Sequence, residues 1–374
     1  MSTSIRAPRW RAPRRATGAL LASCGLAATV LAGCGSSTPP RKRAAPSTTT
    51  STAAAAVCPL TGAPVPGGGG VPQRPALAVK VDNYAAARPQ SGLDKADIVV
   101  EEPVEGGVTR YVAIFQCQQA AEVGPIRSAR NIDIGILGEF GQPLFVHVGG
   151  INPVLANIAA SPLIDLDLGR YGSVIQHPTG RRAPYSTYAA TSALWNLRSS
   201  DTTPPSPVFS YSTSVPAGYR VSGVAIPFSS VADVVWKYDP ATGDFLRQYG
   251  TAPDVLADGA QNRAANVVVQ FVHVTYGPWV EDANGSLEVQ ANLYNDASGQ
   301  VQVYRNGVLV PGTWHRSSLG QPTQFLTTGG QPIVLAPGPT WIELVPDTVT
   351  VSPLAAPPAP PTTAKAAGVV GPKR

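Results

Sequence analysis

The chain has 374 residues, enough for two domains of ordinary size, and its 37 Gly and 38 Pro predict many turns. Its formal charge of +5 comes from the two ends: 11 of the 28 basic residues lie before residue 44 or after residue 364, whereas all 23 acidic residues lie between Asp82 and Asp347. The body therefore has a net charge near −6, which argues against the clustered basic surface of a nucleic-acid-binding protein.

The first 34 residues have the pattern of an exported lipoprotein. Five arginines precede residue 16, and an apolar run follows them, as in a secretory signal peptide. The run ends at Leu31-Ala32-Gly33-Cys34, a bacterial lipobox, in which the Cys34 thiol can take a diacylglycerol thioether. The alternatives are an ordinary signal peptide and an uncleaved anchor. We expect a signal peptide over 1–33 and an extracytoplasmic protein anchored to the bacterial cell membrane by acyl chains such as palmitate on Cys34.

Two stretches contain too few large apolar residues to offset the entropy of ordering the chain. Residues 34–57 are rich in Ser, Thr, Ala and Pro, and residues 351–374 are rich in Pro and Ala. We predict a disordered tether and a disordered tail.

The four cysteines have different expected fates. Cys24 leaves with the signal peptide, and Cys34 carries the lipid. Cys58 and Cys117 remain in an extracytoplasmic domain, where an oxidising environment favours a disulfide between them. The alternative is two separate thiols.

Residues 58–205 alternate strands with short helices, which predicts an α/β layered N-terminal domain around a central sheet. The expected strands are 74–83, 96–102, 109–116 and 143–148, and the expected helices are 131–140, 152–160 and 188–197. Gly106-Gly107 predicts a hairpin turn. Asp82-Asn83 follows the first strand, at the edge where α/β folds collect functional groups, although such a pair also caps helices and starts turns.

After a linker-like break at residues 201–207, the chain becomes rich in strands. The expected strands are 223–228, 234–238, 245–249, 266–276, 286–293, 299–304 and 341–345. Asn306-Gly307 is a strong hairpin signal. The sequence thus predicts an α+β protein, with a β-rich C-terminal domain over 206–350.

The stretch from Ala96 to Leu137 contains the best site candidate. It places carboxylates and arginines on turns that join apolar strands, with Arg127 and Arg130 after a Gly-Pro turn at a predicted helix N-terminus. Guanidinium groups beside free backbone N–H groups suit phosphate or carboxylate binding. The predicted ligand- or anion-binding residues are Asp82, Asn83, Glu101, Glu105, Arg110, Arg127, Ser128 and Arg130.

Other interpretations of these residues remain open. Both arginines could pair internally with Glu101, Glu102 or Glu105 and form a structural network. The carboxylates could surround a divalent ion or support phosphoryl transfer, although surface carboxylates are usually only solvated. The four histidines have no ligand spacing, and no nucleophile motif, phosphate-binding loop or paired-cysteine zinc pattern occurs. We predict no metal and no cofactor, and the catalytic residues, if any, stay unknown.

Several motifs resemble the YerB-like bacterial lipoproteins, which carry paired N- and C-terminal domains of unknown function. The matching stretches are Ala78–Asn83, Ala87–Leu93, Lys95–Val99, Glu105–Tyr111, Gly124–Arg130, Phe145–Gly150, Asn266–Gln270, Gly312–Arg316 and Gly338–Glu343. The sequence departs from the family at Tyr185 and after Gly250, where relatives often carry His, and this counts against a metal or acid–base role at both positions.

The resemblance implies a two-domain, membrane-anchored extracytoplasmic protein and implies no reaction. The leading hypothesis is a ligand- or partner-binding envelope lipoprotein with a polar cleft in the N-terminal domain. Its partner could be an envelope protein or a phosphate-bearing glycolipid. The alternative is an envelope enzyme that acts on a phosphate-bearing cell-wall or lipid-linked substrate.

Overall fold

A computed structural model describes residues 56–356 of the chain. The predicted signal peptide, Cys34, most of the tether and the tail after residue 356 lie outside the described residues. No helix within residues 56–356 is long and apolar enough to cross a membrane.

The described part is mostly β-sheet, with a few short helices. The strands are β1 (Leu77–Asp82), β2 (Ile98–Pro103), β3 (Thr109–Phe115), β4 (Leu144–His147), β5 (Ile164–Asp167), β6 (Tyr219–Ser229), β7 (Ala232–Tyr238), β8 (Phe245–Tyr249), β9 (Ala252–Pro253), β10 (Arg263–Ala264), β11 (Asn266–Val272), β12 (Val274–Val280), β13 (Leu287–Ala291), β14 (Ala297–Arg305), β15 (Val308–Arg316), β16 (Gln324–Thr327), β17 (Thr340–Pro346) and β18 (Ser352–Ala355). The α-helices are α1 (Ile132–Leu137), α2 (Asn152–Ala160) and α3 (Thr191–Asn196).

One hydrogen-bonded sheet contains strands from both predicted halves of the chain, in the order β10-β8-β7-β6-β15-β14-β11-β17-β2-β3-β1-β4-β5. The two halves meet where β17 pairs in parallel with β2, with Thr340 opposite Ile98 and Glu343 opposite Glu101. The sheet therefore passes through the predicted domain boundary without a break. The overall class is α+β with a dominant sheet, and the α/β layering of the first half stays a prediction.

Six neighbouring strands around β3 in this sheet run in the same direction. β1 and β2 are both antiparallel to β3, whereas β4, β5, β11 and β17 join them through parallel pairs. Their carboxyl ends lie at one edge of the sheet, which we call the carboxyl edge. Asp82-Asn83, the turn at Glu105 and the end of β4 at His147 all belong to it.

Local turn signals in the sequence are matched by the backbone. Gly106 and Gly107 have φ near +73° in a short 3-10 turn that joins β2 to β3. Asn306 and Gly307 have φ of 52° and 68° and join β14 to β15, as a two-residue hairpin turn requires.

Two sequence predictions about strands were wrong. The run over 266–276 is not one strand, because it breaks at His273 into β11 of the large sheet and β12 of a separate two-stranded sheet with β13. The start of the predicted disordered tail forms β18, which pairs antiparallel with β6. Hydrogen bonding to a strand distant in sequence orders this Pro- and Ala-rich segment.

Apolar side chains pack on both faces of the sheet and form two large buried clusters. Leu77, Val79 and Val81 of β1 face one cluster, and Ala78 faces the other, as strand alternation requires. A disulfide joins Cys58 to Cys117. These cysteines are therefore paired and are not two separate thiols. The disulfide fastens the first described segment to the chain just after β3.

Candidate functional site

The segment from Gly124 to Arg130 lies between the carboxyl ends of β1 and β4. These strands pair directly only from Leu77 to Val79 of β1. Beyond that point the backbone N–H of Arg127 donates to the carbonyl of Lys80 at 2.9 Å, and the carbonyl of Arg127 accepts from Val148 at 3.0 Å. The segment thus occupies the split between two parallel strands, which is where open sheets form binding crevices.

Glycine is required at the start of this segment. Gly124 has φ of +152°, and a Cβ atom there would lie 2.7 Å from the ring of Tyr188 and 2.9 Å from the carbonyl oxygen of Thr187. The Gly-Pro turn predicted from the sequence therefore packs tightly against the segment around residue 188 and fixes the direction in which Arg127 leaves the sheet.

Arg127 is the arginine of this segment that reaches solvent. Its Nε donates to Oδ2 of Asp82 at 2.7 Å, whereas its side chain is 29% exposed and Asp82 is buried. Within residues 56–356, no protein atom accepts a hydrogen bond from the two terminal nitrogens of Arg127. The buried carboxylate therefore orients a guanidinium whose outer edge stays open.

Arg110 and Arg130 lie behind Arg127 and are paired. Both donate to Glu105, with Arg110 Nη2 at 3.1 Å from Oε1 and Arg130 Nε at 2.8 Å from Oε2, and Arg110 also donates to the carbonyl of Ser128. Burial opposes ionisation of Glu105, but the hydrogen bond from Arg130 and the charge of Arg110 outweigh it and lower the pKa of Glu105 to about 2. Glu281, in the turn between β12 and β13, is 3.3 Å from Arg130.

The backbone N–H groups expected to be free at the start of the following helix are occupied. The N–H of Arg130 donates to Oδ2 of Asp133 at 2.7 Å, and the N–H of Asn131 donates to Oε1 of Glu288 at 2.8 Å. This part of the sequence argument was wrong, because two carboxylates already serve as the anions at this helix end. The side chain of Arg127 is therefore the main candidate for anion binding here.

A second buried cluster lies directly beneath these residues. Lys80 donates to Asp133 at 2.7 Å and to Glu102, and all three side chains are fully buried. Burial and the neighbouring charge of Asp133 raise the pKa of Glu102, since one ammonium group faces two carboxyl groups. The cluster is internal and structural.

The remaining predicted site residues lie on the opposite face of the sheet. The side-chain amide of Asn83 donates to Oγ1 of Thr109 at 2.7 Å and to Oε1 of Glu101 at 3.2 Å, and its Oδ1 accepts from the hydroxyl of Tyr249 at 2.6 Å. Glu101 points away from Glu102 because neighbouring residues of a strand face opposite sides. The eight predicted residues therefore do not form one site.

On the face of the sheet that contains Glu101, a fully buried arginine from the second half of the chain pairs with this carboxylate. Arg247 donates to Glu101 at 2.5 Å and to Asp254 at 2.7 Å, and its guanidinium lies 4.6 Å from the ring centre of Tyr249. Glu343, opposite Glu101 on β17, accepts from Trp236 at 2.7 Å. Burial and the charge of Glu101 raise the pKa of Glu343 well above its ordinary value. Sequence reasoning missed this network because its members are far apart in the chain.

His147 closes β4 at the same edge, and both of its ring nitrogens have partners. Nδ1 is 2.9 Å from the carbonyl oxygen of Gly149, and Nε2 is 2.9 Å from Oδ1 of Asp165. Its ring is fully buried, so His147 is a core residue whose polar atoms are satisfied. Over residues 56–356, no three His, Cys, Asp or Glu side chains are grouped in a way that could hold a metal ion.

Comparisons with known proteins identify both halves of the chain. A profile described as "Protein of unknown function (DUF3048) N-terminal domain" matches residues 60–203, and its C-terminal counterpart matches residues 224–342. A Bacillus subtilis (strain 168) protein named "Putative lipoprotein YerB" is 29% identical over 291 residues, which cover 74% of this chain and 83% of that protein.

A solved structure has a similar fold. The crystal structure of the YerB protein from Bacillus subtilis superposes with a TM-score of 0.67 and 23% sequence identity, and the match covers 79% of this chain and 99% of that one. At this level of identity the likeness concerns the fold.

Proposed function

The chain belongs to the YerB-like family with paired DUF3048 N- and C-terminal domains, and on that basis we propose that it is a membrane-anchored envelope lipoprotein that binds an anionic ligand at Arg127. The name of its B. subtilis relative and the lipobox at Cys34 support the lipid anchor. The partners this proposal favours are a phosphate-bearing glycolipid or an acidic group of an envelope protein.

The observation that carries the proposal is the open edge of the Arg127 guanidinium. Asp82 engages only Nε, so the two terminal nitrogens can form the paired hydrogen bonds that guanidinium groups make with phosphate or carboxylate. Arg110 lies close behind, and its Nε is buried without a hydrogen-bond partner among the described residues. Because Arg110 is paired with Glu105, the capacity to bind an anion here comes from the two open terminal nitrogens of Arg127.

We propose different roles for the two arginines, Arg127 and Arg130. Arg130 is almost fully buried and paired with Glu105, so it serves the internal network that was the competing interpretation. Arg127 is the candidate contact with a ligand. Binding and stability should therefore respond differently to substitution of the two residues.

The test is calorimetric titration of the full-length chain in detergent with inorganic pyrophosphate. Arg127→Ala should still fold, because buried Asp82 keeps the hydrogen bond from the N–H of Tyr84 and the loss of its other partner costs about 1–3 kcal/mol, and it should bind at least about tenfold more weakly. Arg130→Ala should instead lower the melting temperature, since loss of a buried partner costs about 3–5 kcal/mol.

Arg198→Ala is the matched control. Arg198 is also a partly exposed arginine that donates through Nε to an aspartate, Asp201 at 3.0 Å, but it lies near the start of β1 at the opposite edge of the sheet. Absence of binding to the wild-type chain, or equal binding by the Arg127→Ala and Arg198→Ala variants, would exclude the proposal.

The enzymatic alternative lacks a corresponding observation. Ser128 is the hydroxyl next to Arg127 in the chain, and among residues 56–356 no histidine or carboxylate is hydrogen-bonded to it. Nucleophilic catalysis by serine requires such a base.

A further inference from the structure

Two tyrosines stand beside Arg127 at the carboxyl edge. Tyr84 directly follows Asp82-Asn83, and Tyr185 ends the turn that begins at Arg182. Their ring centres are 6.3 Å apart with planes within 10° of parallel, and the guanidinium carbon of Arg127 is 5.9 Å from the ring centre of Tyr185. Tyr84 is 49% exposed. Aromatic surface and an open guanidinium thus face solvent together.

The relative position of these groups is fixed by the fold. Asp82 uses one carboxylate oxygen for Arg127 and the other for the backbone N–H of Tyr84, at 2.9 Å. Arg181 ties the second turn to the first loop by donating to the carbonyl oxygens of Ala87, at 3.2 Å, and Pro89. Two separate loops are therefore held so that Tyr84, Tyr185 and Arg127 meet.

Packing alone does not account for this arrangement. Two stacked rings that only covered the loops would bury their faces, whereas the ring pair here leaves apolar area in water next to a charge. Tyrosine is enriched at recognition surfaces because it offers a rigid apolar face with a polar tip.

The charge distribution points to the same place. Six of the 17 basic residues of the body belong to the segments that build this edge, although the body as a whole has a net charge of −6. The six are Arg88, Arg110, Arg127, Arg130, Arg181 and Arg182. Arg110 and Arg130 are paired with Glu105, but Arg88, Arg181 and Arg182 form no ion pair with a carboxylate among residues 56–356, so these three add positive charge beside Arg127.

We propose that the ligand at Arg127 is a saccharide that carries a phosphate or carboxylate group. The guanidinium binds the anion, and the Tyr84–Tyr185 pair packs against the face of the sugar ring, whose C–H groups are weakly positive and match the negative face of an aromatic ring. This inference rests on the proposed function, because it requires the anion site and adds the chemical class of the group attached to the anion.

The experiment compares four probes by calorimetry on the full-length chain: inorganic phosphate, glucose 1-phosphate, glucuronate and methyl glucoside. Glucose 1-phosphate or glucuronate should bind about three- to tenfold more tightly than phosphate, the gain expected from one aromatic contact. Methyl glucoside, which has no charge, should bind more weakly than both. The stronger of the two acidic sugars identifies the anion.

Variants separate the sugar contact from the anion contact. Tyr84→Ala and Tyr185→Ala should each lower the affinity for the acidic sugar to that for phosphate and leave phosphate binding unchanged, whereas Tyr185→Phe should retain the sugar gain. Arg127→Ala should weaken both ligands. Tyr219, at the start of β6, is more exposed than Tyr84, and Tyr219→Ala is the control that should change neither.

The outcomes distinguish this inference from the proposed function. If phosphate binds in an Arg127-dependent way but neither acidic sugar binds more tightly, or if the tyrosine variants retain the gain, the saccharide inference is wrong and the anion site stands. If none of phosphate, pyrophosphate, glucose 1-phosphate and glucuronate binds, both are wrong.

Discussion

Removal of the Cys58–Cys117 disulfide should destabilise the protein by an amount that its loop length predicts. The two cysteines are 59 residues apart, and closing a loop of that length lowers the entropy of the unfolded chain by about 14 cal/mol/K, or ~4 kcal/mol at 25 °C. Both side chains are buried with Val65 in a small apolar cluster. Alanine at both positions therefore leaves no buried polar group, and the change in unfolding free energy reports the cross-link.

Urea unfolding of the full-length chain, followed by tryptophan fluorescence, measures this difference. With an m-value of about 3 kcal/mol per M, the midpoint should fall by roughly 1–1.5 M in the Cys58→Ala/Cys117→Ala variant. Reduced wild type should match the variant, and reductant should not shift the variant further. Cys34→Ala retains the disulfide and is the control. A double variant within about 1 kcal/mol of the wild type would refute the loop-closure reasoning.

Three further predictions follow from buried charges and from the anchor. Arg247→Ala leaves Glu101 and Asp254 unpaired inside the protein and should lower the unfolding free energy by about 3–5 kcal/mol, so a melting temperature within roughly 2 °C of wild type would contradict it. The pKa of Glu105 is lowered from 4.5 to about 2, so its stabilising effect is present above pH 4.5 and is lost as pH falls towards 2. Glu105→Gln should flatten the fall in melting temperature over that window, and an unchanged acid profile would count against the pairing with Arg130. Cys34→Ala should abolish incorporation of labelled palmitate, and persistent labelling would rule out lipidation at Cys34.

The sequence predicted most strands and turns of the fold because their signals are local. Apolar runs bounded by turn residues located β1 to β4, and Asn306-Gly307 located the hairpin of β14 and β15. It did not predict that β17 pairs with β2, because the local sequence of a strand does not indicate which distant strand will pair with it in parallel. The composition of the chain therefore suggested two domains, although strands from both halves belong to one large sheet.

The candidate site was predicted only in part. Asp82 and Arg127 were both among the predicted site residues, and the structure pairs them, although the partners considered for Arg127 were Glu101, Glu102 and Glu105. Strand alternation, visible in the sequence, would have separated Glu101 from the arginines. The partner of Glu101 could not be read from the sequence, because Arg247 lies 146 residues further along the chain.

The central place of β17 bears on the order in which the protein can fold as its chain is made. Synthesis delivers the chain from its N-terminus, and β17 is nearly the last strand to arrive, although its side chains enter both buried clusters. Until then the edge of β2 has no partner, and an open strand edge is a template for aggregation. A chain that ended before Thr340 would therefore lose the fold of its first half together with that of its second.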